Sequence, residues 1–184
     1  LQLLGSPYLL LTDSQGQVWG HGARKLFVLA PDGKVRRFPL AGSRPTGKLL
    51  MVETGDGRLI YNQAEGLFSL DPKTGEQYLA LPAGTVPVDS LQTLVKSPDG
   101  SLWLGHSSQG AFQLLLQGQT FAPGKHYLPG KGVTRILTDR ERNLWFATLN
   151  DGVYLLSING DLIFTRNNRL RQYLDDQAFI LDEP

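Results

Sequence analysis

The 184-residue chain contains no cysteine, which removes disulfides, thiolate nucleophiles and thiolate-ligated zinc together. Histidine is scarce as well. The three present, His21, His106 and His126, lack the close pairing from which metal sites are read, so neither a metal nor a cofactor is expected. No charge of one sign dominates: 18 basic against 17 acidic residues leave a formal +1, too little field to draw a polyanion, and nucleic acid is not an expected partner. No apolar run approaches the ~20 residues that span a bilayer. The N-terminus lacks the basic region, apolar core and small-residue cleavage site of a secretory leader. Membrane attachment is therefore expected only through segments outside this sequence. Because no methionine opens the chain, the expectation is a piece of a longer product.

What is abundant is punctuation. Twenty-one glycines and eleven prolines, in a chain 41% hydrophobic and 19% charged, are scattered between short apolar runs, the pattern of many tight turns joining many short strands. The runs repeat. Bulky anchors at Trp19, Ile60, Trp103 and Trp145 are separated by 41, 43 and 42 residues, the interval of a four-stranded propeller blade. Nine residues before each anchor stands an apolar residue, Leu10, Met51, Leu94 or Ile136, and the residue just before it is Val18, Leu59, Leu102 or Leu144. Eight or nine residues after it comes Phe27, Phe68, Phe112 or Tyr154, followed two residues on by Leu29, Leu70, Leu114 or Leu156. Alternation at period two marks strands with at least one buried face.

Turn residues precede each anchor: 13–16, 54–57, 97–100 and 139–142, carrying Asp13, Asp56, Asp99 and Asp139. Such residues bond their own turns and tolerate left-handed backbone. The expected architecture is all-β: four four-stranded antiparallel blades, over about 7–47, 48–90, 91–132 and 133–175. Residues 176–184 would begin a fifth, since Ala178–Pro184 matches Gln92–Pro98. That fifth repeat would place its anchor near position 189, beyond the sequence, so the reading is a fragment of a larger propeller. An open arc of blades exposes sheet faces, and association with another copy or with the remaining blades is expected.

The segments Thr138–Thr148 with Asp151–Tyr154, and Ser97–Gly105 with Gln109–Phe112, resemble the two-component regulator propeller repeat, whose pattern is an Asp, a Gly-Asn-type turn, Leu-Trp, a small residue and then a Gly-Leu pair. The chain departs from it at Ile60, where Trp is usual, around Gly20–Arg24, and at Arg142, which stands in a Gly position. The resemblance implies a periplasmic sensor region of an inner-membrane receptor, whose cytoplasmic part is a histidine kinase, a hybrid regulator or a diguanylate cyclase. It implies ligand sensing for signal transduction, with no catalysis in this segment. A protein-binding scaffold is the alternative, and a propeller lyase a further one, for which no catalytic constellation is visible in the sequence.

Most conspicuous residues belong to the scaffold. The recurring Asp residues are spread around a ring, whereas acid–base chemistry needs carboxylates converging on one point. The Trp residues lie in the most apolar strand and are expected between blades rather than stacked on a sugar. Ser69, Ser90 and Ser108 have no nucleophile-elbow sequence. The basic run Arg166–Arg171 is expected to be a solvated connector. The candidate ligand-binding residues are the polar side chains that break the repeat in loops entering the innermost strands: Lys48, Asp89, Gln92 and Arg135. Lys48 and Arg135 suit an anionic ligand, and Asp89 and Gln92 suit hydroxyls. The expected partner is a small molecule or oligosaccharide, or else a protein.

Overall fold

The computed structural model describes residues 8–22, 24–45, 47–160 and 162–165. Four antiparallel sheets of four strands follow one another along the chain. The first holds β1 (Tyr8–Thr12), β2 (Val18–Gly22), β3 (Lys25–Leu29) and β4 (Val35–Pro39). The second holds β5 (Met51–Glu53), β6 (Leu59–Gln63), β7 (Gly66–Leu70) and β8 (Gln77–Pro82). The third is built from β9 (Leu91–Lys96), β10 (Leu102–His106), β11 (Gly110–Gln117) and β12 (Thr120–Tyr127), the fourth from β13 (Val133–Thr138), β14 (Leu144–Thr148), β15 (Val153–Leu156) and β16 (Leu162–Thr165). In each sheet the strands pair in chain order. The first strands touch in succession, β1 with β5, β5 with β9 and β9 with β13, which is the propeller arrangement the period predicts. The fifth repeat and the run Arg166–Arg171 lie outside the described residues.

Three apolar cores fill the spaces between successive sheets. Trp19, Leu26 and Val28 of the first sheet pack on Met51, Leu59 and Tyr61 of the second. Ile60 and Leu67 of the second meet Leu94, Leu102 and Leu104 of the third. Trp103 and Ala111 of the third meet Ile136, Leu144 and Phe146 of the fourth. The anchor column thus faces the following sheet, while the neighbouring columns face the preceding one, as side-chain alternation requires. Each sheet buries its faces only against its neighbours, so the stability is that of a chain of interfaces.

The turns before the anchors share one backbone form, in which the first residue donates to the carbonyl of the fifth and its own carbonyl accepts from the fourth: Asp13 with Gln17 and Gly16, Thr54 with Arg58 and Gly57, Ser97 with Ser101 and Gly100, Asp139 with Asn143 and Arg142. Side chains complete it in two ways. Where the first residue is Asp, its carboxylate takes the anchor's indole N–H six residues on, 2.7 Å from Trp19 Nε1 to Asp13 and 2.8 Å from Trp145 Nε1 to Asp139. Where it is Ser or Thr, the Asp two residues later takes over. Asp99 accepts from Ser101 N–H at 3.0 Å, and Ser101 Oγ in turn accepts the Trp103 indole at 3.2 Å. Ile60 has no side-chain N–H, and Asp56 is left to Thr54 and the Arg58 backbone. The recurring aspartates are spent on their turns and on the tryptophans.

Candidate functional site: the channel face

Antiparallel order puts the turns before the anchors on one face of the array and the connections β4–β5, β8–β9 and β12–β13 on the other, together with the turns β2–β3, β6–β7, β10–β11 and β14–β15. Loops on this second face also pack, with Leu49, Val86, Val88 and Leu128 buried in the cores between sheets. Along the innermost strands lies a cavity of about 740 Å³ whose lining includes Leu10 of β1, Met51 of β5, Gln92 to Val95 of β9 and Arg135 to Leu137 of β13. His21 of β2 and Arg44 and Lys48 of the β4–β5 loop complete its polar rim. Of the four residues proposed from sequence, Lys48, Gln92 and Arg135 are therefore brought together. Asp89 is not. It lines a separate cavity of about 400 Å³ with Gln63 and Gln109.

The β4–β5 loop is held by side chains that sequence reading did not single out. Asn62, buried near the end of β6, accepts the Leu50 N–H at 2.7 Å and donates to the Lys48 carbonyl at 3.0 Å, fixing the backbone from which Lys48 projects. The Glu65 carboxylate accepts the Ser43 N–H, at 2.8 Å to one oxygen and 3.0 Å to the other, and hydrogen bonding from the Ser43 side chain, then from its backbone, holds the Glu65 pKa below the ordinary carboxylate value. Arg44 leaves the loop one residue further on.

Electrostatically the channel is one-sided. Arg44, Lys48 and Arg135 line it, and none of its described lining residues is acidic. His21 is half-buried and stacks on Tyr8 with ring centroids 5.2 Å apart. Burial, and then the Arg44 charge, lower its pKa from 6.5, so at neutral pH it holds a free lone pair. His21 stands two residues after its anchor, where the other repeats carry Asn62, Gly105 and Ala147. A polar residue at that column is the signal sequence reading had available. Arg44 gives no such signal, because the β4–β5 loop has no counterpart of equal length in the other repeats.

His21 and His106 do not share a site. His106 is buried at the end of β10, and among the described residues no group of three or more His, Asp or Glu is placed to hold a metal ion. No helix among the described residues is long and apolar enough to cross a membrane, which bears on helical spans and not on the compartment.

No protein-family model matches the chain, and no curated protein matches it. Solved structures do. A catalytically inactive form of virginiamycin B lyase from Staphylococcus aureus, with quinupristin, superposes with a TM-score of 0.66 at 17% identity, over 88% of this chain and 56% of that one. A gluconolactonase from Xanthomonas campestris gives 0.62 at 17%, over 82% and 58%. The extracellular domain of a protein assigned to the hybrid two component systems in B. thetaiotaomicron gives 0.64 at 16%, over 89% and 26%. The chain spans about half the length of the lyase structures it matches.

At these identities the likeness carries architecture: a propeller-like repeat fold resembling both enzymes and sensor domains, with no single family shown. The expectation of a non-catalytic sensor segment of a signal-transduction receptor is thereby overturned. It rested on the repeat, and the same blades carry lyases and a gluconolactonase. The expectation that this segment is not an enzyme falls with it. The physical reason lies in the residues that carried the resemblance. The Leu-Trp anchors pack sheets together, and the turn aspartates bond their own backbone on the face away from the β4–β5 and β8–β9 loops. They specify blades whatever the blades are used for.

Proposed function

We propose that the channel face belongs to a propeller enzyme of the lyase or lactone-cleaving kind, acting on a small ester whose cleavage leaves negative charge on oxygen. The observation that supports this reading is His21, its pKa lowered by burial and then by Arg44, in a cavity lined also by Lys48 and Arg135 and with no acidic residue among its described lining. His21 is the proton acceptor, removing a proton from the substrate carbon or from an attacking water. Arg44, Lys48 and Arg135 stabilise the oxyanion that develops as the C–O bond breaks. Gln92 orients the substrate through its amide, and Asn62 is a positioning residue acting through the Lys48 backbone.

The test uses the lactone and cyclic-ester classes suggested by the enzymes of similar fold. The chain is incubated with glucono-δ-lactone and with quinupristin, and substrate loss is followed by mass spectrometry, while gluconate binding to the channel is followed by NMR. Turnover is expected to rise with pH through a limb below 6.5 and to fall by roughly 10²–10⁴ in His21→Ala. Turnover unchanged by His21→Ala, or gluconate binding unchanged by Lys48→Ala and Arg135→Ala, overturns the reading.

A further inference from the structure

Another cavity, of about 430 Å³, opens between the third and fourth sheets on the opposite face of the array, among the turns that precede the anchors. One column of the repeat changes there. Reading outward from the anchor, the row that faces the next sheet is Trp19, Val28 and Arg36 in the first sheet and Ile60, Ser69 and Tyr78 in the second. In both, the outermost side chain closes the gap by donating to a carbonyl in the last turn of the next sheet, Arg36 to Pro72 at 2.8 Å and Tyr78 to Gln119 at 2.9 Å. In the third sheet the row is Trp103 and Gln113, followed across a bulge by Lys125. The Lys125 side chain makes no such bond. Neither it, nor Gln113, nor Arg142 on the same cavity has a side-chain hydrogen bond or an ion pair with another described residue.

The two walls differ in chemistry. The third sheet presents Lys125, the half-buried Gln113 amide and the ring of Tyr127, which packs on Trp103 with centroids 5.5 Å apart. The fourth presents the cross-strand pair Leu144 and Leu156, with the exposed Ile158 beyond them. Arg142 lines the cavity from the turn between β13 and β14, at φ +69° where the equivalent turns hold Gly16, Gly57 and Gly100. Left-handed backbone strains an L side chain and not a glycine, and such strain gathers where a side chain is placed for a ligand. Asp99 is the only acidic residue in the described lining, and its carboxylate is already taken by Ser97 Oγ, by the Ser101 N–H at 3.0 Å and by Ser101 Oγ at 2.8 Å. Lys125 and Arg142 are exposed, long side chains on the rim of one cavity, so both can reach one anion with the backbone in place. A neutral ligand leaves the two cations unanswered, an inorganic anion leaves the leucines uncovered, and a cation is repelled. A carboxylate accepts from a guanidinium and an ammonium at once. We propose that this gap binds a small aryl or alkyl carboxylate, its charged end held by Arg142 and Lys125 and its apolar body against Leu144, Leu156 and Ile158. The proposal is independent of the channel reading.

Four probes test it on the full chain: benzoate, acetate, benzamide and benzylamine, each titrated while the Trp103 indole N–H and the Gln113 side-chain NH₂ are followed by NMR. Benzoate is expected to shift these signals saturably and to bind at least threefold more tightly than the other three. Lys125→Ala is expected to weaken benzoate about threefold or more, the scale of an exposed charge pair. Arg142→Gly is expected to weaken it at least as much without lowering the melting temperature, since glycine takes the left-handed backbone freely, and this separates loss of the ligand from loss of the fold. Lys48→Ala, which alters the channel, is expected to leave the benzoate response at these signals as it was. Equal affinity for benzoate and either benzamide or acetate, a response retained when Lys125→Ala and Arg142→Gly are combined, a response lost in Lys48→Ala, or no saturable response to benzoate overturns the proposal.

Discussion

Arg142 is the residue at which the chain departs from its own repeat most plainly. It holds φ +69°, where the equivalent positions Gly16, Gly57 and Gly100 hold +74°, +79° and +85°. For an L side chain the left-handed region costs about 1–2 kcal/mol, and glycine gives back part of that in unfolded-chain entropy. Arg142→Gly is expected to stabilise the chain by up to about 1 kcal/mol, read as a raised urea midpoint at unchanged slope. Gly110 predicts the reverse. At φ +90° its missing Cβ would stand against the carbonyl oxygens of Tyr127 and Leu128, backbone that cannot give way. Gly110→Ala is expected to cost roughly 3 kcal/mol or more, and a midpoint within 1 kcal/mol (about the range of a surface substitution) of the parent would show that β11 and β12 have room to separate.

At the scale of strands and sheets, the anchor column ranks its own members. Trp19 and Trp103 are 0% and 3% exposed because a following sheet covers them. Trp145 is only half-buried, and among the described residues no sheet follows its own. Removing a buried tryptophan costs about 3–5 kcal/mol. Trp103→Ala should fall in that range and Trp145→Ala clearly below it, and denaturant melts of the two variants decide the matter. Equal losses would mean that the face of the fourth sheet is as well packed as the inner ones. These elements were legible in the sequence because a blade repeats its packing, so one period fixes sixteen strands, their order and the column that faces forward. The indole partner at Asp13 and Asp139 was less legible, since both partners are conspicuous and only the fold shows that six residues bring them to one bond. The site was legible in part. Lys48, Gln92 and Arg135 reach the channel, but only Lys48 does so from a loop, since Gln92 and Arg135 lie within β9 and β13, the innermost strands themselves. Asp89 does not, because the long β8–β9 loop lays it between two sheets, a lateral displacement that no residue spacing records. His21 escaped because it is exceptional only when its column is compared across repeats.

For the molecule as a whole, the titrating groups set the pH range over which the sheets stay packed. Burial alone would raise Asp56, Asp99 and Asp139, but hydrogen bonds from Thr54, from Ser97 and Ser101, and from Trp145 and Asn143 outweigh it and hold all three below 3.8. A carboxylate depressed in the folded state contributes stability above its unfolded pKa and loses it as pH falls through the folded value. Thermal stability is therefore expected to decline below about pH 4, as the turns and the Trp145 indole lose charged acceptors. The alkaline limit has a different origin. Tyr61, fully buried between the first two sheets, accepts the Ala41 N–H at 3.1 Å and donates to Gln77 Oε1, and burial pushes its pKa up to about 12. The folded state thus keeps a proton that the unfolded chain gives up near 10, and stability is lost as pH climbs from 10 toward 12, at about 1.4 kcal/mol per unit. Tyr61→Phe removes that proton and both bonds. The variant should be less stable at neutral pH and should lose stability less steeply between pH 10 and 12. A parallel alkaline limb in the two proteins would place the responsible tyrosinate elsewhere in the molecule and remove Tyr61 as the group that opens the first interface.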